Sequence, residues 1–235
     1  MLSFFLLWEI VSVAKQDATL VRLERIGKAF TSILRESALY ANIGATMKIL
    51  LIGIGVAIAF GIVVGILIDF SETIKHLLTP LIELFRNIPS ITLFPILLVI
   101  FGIGDTSRIF VIFWTSAPAI ILSTIYGLRT VQQSVIEAAQ TYGANKLQIL
   151  WYIKLPLALP EILNGIKIAI GSGFVAIVVA EMLGASKGLG FMVLWTTNSF
   201  KYHETYAYIL IIAVIGATAN AVMTQIIKQY ERKLL

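Results

Sequence analysis

The chain has 235 residues, of which 58% are hydrophobic and only 13% are charged, and its mean hydropathy is +0.91. A soluble domain carries about 25% charged residues, so this composition excludes a soluble globular protein and predicts an all-α integral membrane protein. Because one membrane-spanning helix needs about 20 apolar residues, the chain has room for about five to six such helices. It has no cysteine, which excludes disulfide bonds and thiolate metal sites.

The N-terminal region, residues 1–43, is predicted to contain two parts. Residues 1–14 are mostly apolar but short for a span, so they form either a shortened first span or an interfacial helix. Residues 15–42 mix basic, acidic and apolar side chains, which is typical of an amphipathic helix that lies on the membrane surface.

The first complete span is predicted at residues 44–68. Ala57, Gly61 and Gly65 recur there every four residues, which places small side chains on one face where another helix can pack closely. Residues 69–86 are more polar and are predicted to be a connector.

The next span is predicted at residues 87–103, and Pro95 within it predicts a kinked or broken helix. Residues 102–107 form a turn. The remaining spans are predicted at 109–128, 162–183 and 206–227, with a polar loop at 129–158 and a glycine-rich, aromatic loop at 184–205.

The polar loop has the local signals of two short helices. Ser134 followed by Glu137 is a capping-box pattern, and Gly143 suits a left-handed cap at the end of the first helix. A second helix can begin at Asn145. The residue before a proline favours extended geometry, so Leu155-Pro156 is predicted to end the unit.

The spacing within this loop resembles the EAA loop found in membrane subunits of bacterial ABC importers. An ordinary amphipathic connector is the alternative, but the match extends without a gap over the whole loop. The matching residues, which the resemblance identifies as the contacts that couple the membrane subunit to an ATPase, are Glu137, Ala138, Ala139, Gly143, Ile153, Leu155 and Pro156.

Further stretches resemble one branch of these permeases, the group that imports nitrate, sulfonates, taurine, bicarbonate and pyrimidine-type vitamin precursors. The resemblance extends from about residue 46 to residue 235, and the N-terminus departs from it. The stretches are residues 86–90 with Pro95, 101–105, 126–129, 180–182 and 188–190.

The resemblance implies the fold of a binding-protein-dependent ABC importer permease, with residues 1–235 as a single transmembrane domain. It also implies three kinds of partner: a second permease copy, two copies of a cytoplasmic ATP-binding subunit held by the loop at 129–158, and an extracytoplasmic substrate-binding protein that delivers solute near residues 184–205. The sequence does not identify the transported solute.

The orientation follows from the basic residues. They lie in the C-terminal tail, in the loop at 129–158 and in the connector at 69–86, three segments that fall on one side of the membrane, and the positive-inside rule makes that side cytoplasmic. Residues 15–42 disagree, because they carry five basic residues on the opposite side. This distribution explains the net charge of +5 without nucleic-acid binding.

No catalytic residue set is visible, and neither a cofactor nor a metal site is predicted. The sequence lacks a G-x-x-x-x-G-K-[ST] phosphate loop, so any ATPase activity is expected in a separate subunit rather than in this chain. The two histidines, His76 and His203, fall on opposite sides of the membrane, which argues against a metal site built from histidine.

Three polar residues are candidates for the translocation path. Glu181 ends an apolar span, and it either lines the outer mouth of the path or bonds to the glycine loop that follows. Arg86 and Asn87 either line the inner path or cap the kinked helix.

Two other classes of membrane protein remain as alternatives. An ion-coupled secondary transporter would need ionisable residues near the bilayer midplane and repeated broken helices. A membrane scaffold without transport activity would need neither the interrupted spans with Pro95 and Pro118 nor the fixed spacing of the polar loop.

Overall fold

The computed structural model describes residues 8–9, 11–12 and 19–234, and the regular elements among them are helices. In chain order they are α1 (Leu23–Ile33), α2 (Ser37–Phe70), α3 (Glu72–Asn87), α4 (Ser90–Phe101), α5 (Asp105–Arg129), α6 (Gln133–Thr141), α7 (Lys146–Ile149), a π-helical turn (Leu150–Lys154), α8 (Leu155–Gly184), α9 (Leu189–Asn198) and α10 (Tyr202–Leu234).

Four stretches are long and apolar enough to cross a membrane: α2, α5, α8 together with the turn that precedes it, and α10. The pair α3 and α4, bent by 94°, makes a fifth if it counts as one span. The prediction of an all-α membrane protein is therefore confirmed. A sixth span at residues 1–14 falls largely outside the described residues.

The centre of the bundle is α5, which packs between α2 and α8. The contact with α2 depends on small residues, because a Cβ added at Gly61 would lie 2.7 Å from Ile120 Cγ2. On the other side, Gly165 of α8 lies directly against Ser123. The predicted small-residue face of α2 and the glycine of α8 thus hold α5 from two sides. In α10, Ala213, Ala217 and Ala221 also recur every four residues, and they are exposed on the single chain.

The prediction that residues 69–86 form a connector is wrong, because α3 is a 16-residue helix. Ser71 caps it by accepting the N–H of Ile74 at 3.4 Å. Within the first turn, Lys75 Nζ lies 2.7 Å from Glu72 Oε2. These capping and pairing signals stabilise a helix whose apolar residues recur with helical spacing.

The prediction that the span at 87–103 is kinked or broken at Pro95 is wrong, because the bend of 94° lies before that helix, between α3 and α4, which form either one broken span or a re-entrant loop. The helix α4 continues through Pro95, where only one backbone hydrogen bond is lost. The chain bends instead at Ile88, whose φ of −82° and ψ of 116° are extended. Pro89 follows it, and the residue before a proline disfavours the helical region.

The predicted surface helix at 15–42 is shorter than expected in its described part. It is confined to α1, and residues from Ser37 onward already belong to α2. On α1, the Lys28 ammonium lies 2.6 Å from the Glu24 carboxylate and holds the pKa of that carboxyl below its usual range.

Candidate functional site

The EAA segment, defined here as residues 133–156, begins with α6. Its N-cap is Gln132, and no side chain caps it. The predicted capping box of Ser134 and Glu137 is therefore wrong: Ser134 already lies inside the helix, where its hydroxyl cannot serve the first turn in the same way. The Glu137 carboxylate instead accepts a hydrogen bond from Gln133 Nε2 at 3.2 Å.

The end of α6 confirms the predicted role of Gly143. This residue has a φ of +85°. Its N–H donates to Gln140 O at 2.9 Å, and the N–H of Ala144 donates to Ala139 O at 3.0 Å. These two bonds form a Schellman motif. No atom lies within 4 Å of a Cβ placed on Gly143, so within this chain the backbone conformation, and not crowding, favours glycine there.

The second short helix begins where it was predicted. Asn145 Oδ1 accepts the N–H of Gln148 at 2.8 Å, and Gln148 Oε1 accepts the N–H of Asn145 at 2.9 Å. This reciprocal pair is a capping box, and it fixes the direction in which α7 leaves the Gly143 turn.

The prediction that Leu155-Pro156 ends the unit is wrong. Leu155 is helical, with a φ of −62° and a ψ of −47°, and it donates its N–H to Leu150 O in an i to i−5 bond. Pro156 has no N–H, and its ring would clash with the carbonyl four residues earlier. Widening the preceding turn to a π-helix relieves this conflict, so α7 runs through the π-helical turn directly into α8.

The EAA segment is anchored on one side and exposed on the other. Leu150 is buried and packs with Leu128 of α5, whereas α6 has no buried residue at all. Leu147 and Trp151, which neighbour Leu150 in the sequence, are exposed. Tyr142, at the tip, is 92% exposed. A protein surface of this kind offers apolar and aromatic groups to a partner.

An ion pair links the EAA segment to α2. Lys154 Nζ lies 2.7 Å from Asp69 Oδ2, and both side chains are mostly shielded from solvent. Asp69 is the penultimate residue of α2, where a carboxylate opposes the helix dipole. The sequence gives no signal of this pair, because its members are 85 positions apart and neither belongs to a local pattern.

The side chain of Glu181, near the end of α8, lies beside the opposite end of α2 and is fully buried. Its carboxylate accepts hydrogen bonds from Thr46 Oγ1 at 2.8 Å and from the N–H of Gly190 at 2.9 Å. The hydrogen bond to the glycine loop, one of the two roles considered for Glu181, is therefore present. Its role in the translocation path stays a prediction.

The expected loop at 184–205 is wrong in part, because it contains the 10-residue helix α9. The glycines before this helix indicated a loop, but they permit close contact. A Cβ on Gly190 would overlap the Val178 carbonyl, and one on Gly188, whose φ is +121°, would overlap the Glu181 carboxylate. Asn42 Oδ1 also accepts the N–H of Gly188 at 2.8 Å.

Arg86 and Asn87 lie together at the bend between α3 and α4, and both are exposed. Neither caps the broken helix, because α4 has no hydrogen bond from a capping side chain. Arg86 lines a cavity of about 220 Å³ that also borders Ser90, Trp114 and Thr115. Nowhere in the described part of the chain do three or more His, Asp or Glu side chains form a metal-binding group.

Comparison with known proteins supports the membrane-permease assignment. A 181-residue match at 38% identity covers 77% of this chain and 66% of the taurine transport system permease protein TauC of Escherichia coli (strain K12). The nitrate import permease protein NrtB of Leptolyngbya laminosa is 32% identical over 80% of this chain and 67% of its own length. These relatives confirm the predicted branch of nitrate-, sulfonate- and taurine-type permeases.

The fold is shared with permeases of known structure. A chain from inward facing conformations of the MetNI methionine ABC transporter aligns with a TM-score of 0.73 at 21% identity, covering 82% of this chain and 96% of that one. A chain of the bacterial alginate ABC transporter in complex with a pentasaccharide-bound periplasmic protein aligns with a TM-score of 0.63 at 14% identity, over 100% of this chain and 93% of that one.

The family model described as binding-protein-dependent transport system inner membrane component matches residues 57–235. This match includes the EAA segment, the α3–α4 bend and the glycine segment before α9. The chain therefore belongs to the family of inner-membrane permease components of binding-protein-dependent ABC importers.

Proposed function

We propose that this permease carries a small solute inward and receives its energy from a separate cytoplasmic ATP-binding subunit, which grips the EAA segment. The observation that carries the proposal is the two-sided character of this segment. It is anchored through Leu150 and Lys154, while α6 and Tyr142 project from the bundle.

Docking uses the shape of α6 and its cap. Ala138 and Ala139 leave the helix narrow, and the Gly143 turn adds no side chain, so a groove on the partner can approach the backbone. Glu137 offers a carboxylate to a basic group at the rim of that groove. This is recognition of an amphipathic helix by a groove, and Ile153, Leu155 and Pro156 hold the helix at a fixed angle to α8.

Movement of the docked helices passes into the bundle by two routes. One is covalent, since α7 continues through the π-helical turn into α8. The other is the Lys154–Asp69 ion pair, which attaches the same turn to the end of α2. Closure of two ATP-binding subunits would then move α2 and α8 together around α5 and change the side to which the path opens.

A second permease copy completes the path. In support, α10 is only 6% buried over its most apolar window, and α4 exposes Ile96, Val99 and Ile100 on one chain. Apolar faces of this extent are covered by lipid or by another subunit. With one EAA segment per copy, a homodimer binds two ATP-binding subunits.

The orientation places the EAA segment and the C-terminus in the cytoplasm, as the positive-inside rule requires. Glu181 and the segment with Gly188 and Gly190 then lie near the outer side of the membrane, where a substrate-binding protein delivers the solute. The relatives named for taurine and nitrate suggest a solute of that kind. Glu181, Arg86 and Asn87 are the residues proposed to line the path, Glu181 at its outer mouth and the other two further in.

The experiment that tests this function is purification from the native membrane in mild detergent, followed by mass spectrometry and an ATPase assay. Co-purification of a subunit with a phosphate loop is expected. Gly143→Trp and Glu137→Lys should abolish solute uptake and reduce recovery of that subunit, while membrane insertion stays normal. The control is Gly104→Trp. Gly104 also has open space around it, but it lies at the N-terminal end of α5, whereas the EAA segment follows the C-terminal end.

Two results would contradict the proposal. One is an intact preparation that contains only copies of this chain and hydrolyses no ATP. The other is normal uptake by correctly assembled Gly143→Trp and Glu137→Lys variants, because docking through the EAA segment would then be unnecessary.

A further inference from the structure

The bend between α3 and α4 lies at mid-depth in the bundle. Thr115 Oγ1 lies 2.6 Å from Ser90 Oγ, and both Thr115 and Pro118, which lie at the middle of α5, line the cavity at the bend. From this level α4 runs toward the beginning of α5, where Phe101 stacks near Phe110. The N-terminus of α4 is therefore directed at the interior of the membrane domain.

Side chains that carry hydrogen-bond donors border this cavity. Arg86 lines the cavity and has no ion-pair partner within the described ranges. The indole N–H of Trp114 is buried and has no hydrogen-bond partner there. The hydroxyl of Ser90, at the first position of α4, completes the group. No carboxylate lines the cavity among the described residues.

Each of these features disfavours an empty, apolar site. An arginine at mid-depth of a membrane domain requires water, a partner or a ligand around it, and a buried N–H without a partner loses its hydrogen bond. The N-terminus of an interrupted helix adds positive potential at the same place. One anion with several acceptor oxygens satisfies the arginine and the helix N-terminus at once.

We propose that the cavity bordered by Arg86, Ser90, Trp114 and Thr115 is an anion-binding subsite on the translocation path. Its ligand is the oxyanion group of a small solute, with oxygens accepting from the Arg86 guanidinium, the Ser90 hydroxyl and the first turn of α4. This assignment rests on the proposed function, since the subsite serves transport, and it gives Arg86 a part in substrate recognition.

The test uses the complete complex with its ATP-binding subunit, in a variant that keeps Trp114 as its only tryptophan. Its fluorescence is titrated with ethanesulfonate and with ethanesulfonamide, a neutral counterpart of similar shape. Ethanesulfonate is expected to change the emission in a saturable way, and ethanesulfonamide is not. Arg86→Gln should raise the half-saturating concentration at least about tenfold, since a charge-assisted donor is lost, and Arg86→Lys should recover part of the affinity.

The matched control is Arg35→Gln, because Arg35 is an exposed arginine between α1 and α2 and does not border the cavity. It should bind ethanesulfonate as the starting protein does. Uptake measurements separate recognition from a structural role: loss of an anion contact raises the KM for an anionic solute, whereas mere disruption of the bend lowers the amount of folded protein at unchanged KM.

Either of two results would overturn the subsite. One is tryptophan emission that does not change on addition of ethanesulfonate to a complex with normal ATPase activity. The other is an Arg86→Gln variant whose half-saturating concentration of ethanesulfonate is unchanged. In both, ATPase activity and the co-purified subunit persist, so the importer function stands. Absence of any ATP-binding subunit from the starting complex would instead refute the importer function itself.

Discussion

The hydroxyl of Thr46 donates to the carboxylate of Glu181 at 2.8 Å across 135 positions of sequence, and the same hydroxyl oxygen accepts the N–H of Leu189 at 2.9 Å. One side chain therefore joins α2, α8 and α9. Glu181 itself accepts the N–H of Gly190, so a carboxylate from another helix supplies the negative charge that the N-terminus of α9 favours. The position of α9 depends on residues outside it.

Replacing Thr46 by valine is expected to destabilise the protein by about 1–3 kcal/mol, because the N–H of Leu189 and part of the Glu181 carboxylate lose a buried partner. Thr46→Ser keeps the hydroxyl and is the matched control. Thermal unfolding midpoints in one detergent measure the difference. Equal midpoints for the two variants would mean that the Thr46 hydroxyl does not hold α9.

Two glycines of α2 should differ sharply when each is changed to alanine. Gly61 faces Ile120, whereas Gly55 has no atom within 4 Å of a Cβ. Gly61→Ala is expected to lose about 1–3 kcal/mol of stability through overpacking, and Gly55→Ala to be neutral or slightly stabilising. Equal midpoints in the two variants would show that the contact of Gly61 with α5 does not limit the side chain at that position.

Pro156→Ala restores an N–H to the start of α8 and removes the cause of the π-helical turn. A regular α-helix would rotate α7 relative to α8 and misalign the EAA segment. We expect uptake per ATP hydrolysed to fall, by roughly 0.5–2 kcal/mol of coupling, without loss of thermal stability. Pro160→Ala, within α8 itself, is the control. An unchanged ratio of uptake to ATP hydrolysis in Pro156→Ala would show that coupling does not require the π-helical turn.

The ion pair between Asp69 and Lys154 is open to a charge swap. Asp69→Asn or Lys154→Gln leaves one partly buried group without its charged partner, which costs about 1–3 kcal/mol. The double variant Asp69→Lys with Lys154→Asp should regain much of that stability and of the uptake. The exposed pair Glu24 and Lys28 is the control, and its loss should be nearly neutral. A swap no better than its single variants would argue against direct pairing.

Local signals predicted those parts of the site that depend on local backbone geometry. Gly143 reads as a left-handed cap and Asn145 as a helix start because each acts within one turn of chain. The same reasoning was wrong at Ser134, since the helix begins one residue before it. It was also wrong at Leu155-Pro156, since the preceding turn widens to a π-helix that accommodates the proline without ending the helix.

Contacts between distant residues explain what the sequence did not reveal. Glycines around Gly188 and Gly190 indicated a loop, but Glu181 and Thr46 supply the bonds that let α9 form next to them. Lys154 and Asp69 gave no signal, because pairing across helices is invisible to local spacing. Pro95 led to a predicted break within residues 87–103, but α4 continues through Pro95, and the chain bends instead at Ile88, next to Pro89.

The central place of α5 has a consequence for biosynthesis. A nascent chain leaves the ribosome from its N-terminus, so α2 enters the bilayer before its main packing partner has been translated. Until α5 is inserted, lipid must cover the glycine face around Gly61. The helix α8 can pack against α5 only after α2 and α5 have both entered the bilayer. Overpacking variants on this face should therefore accumulate as inserted, protease-sensitive chains in which α2 does not pack against α5.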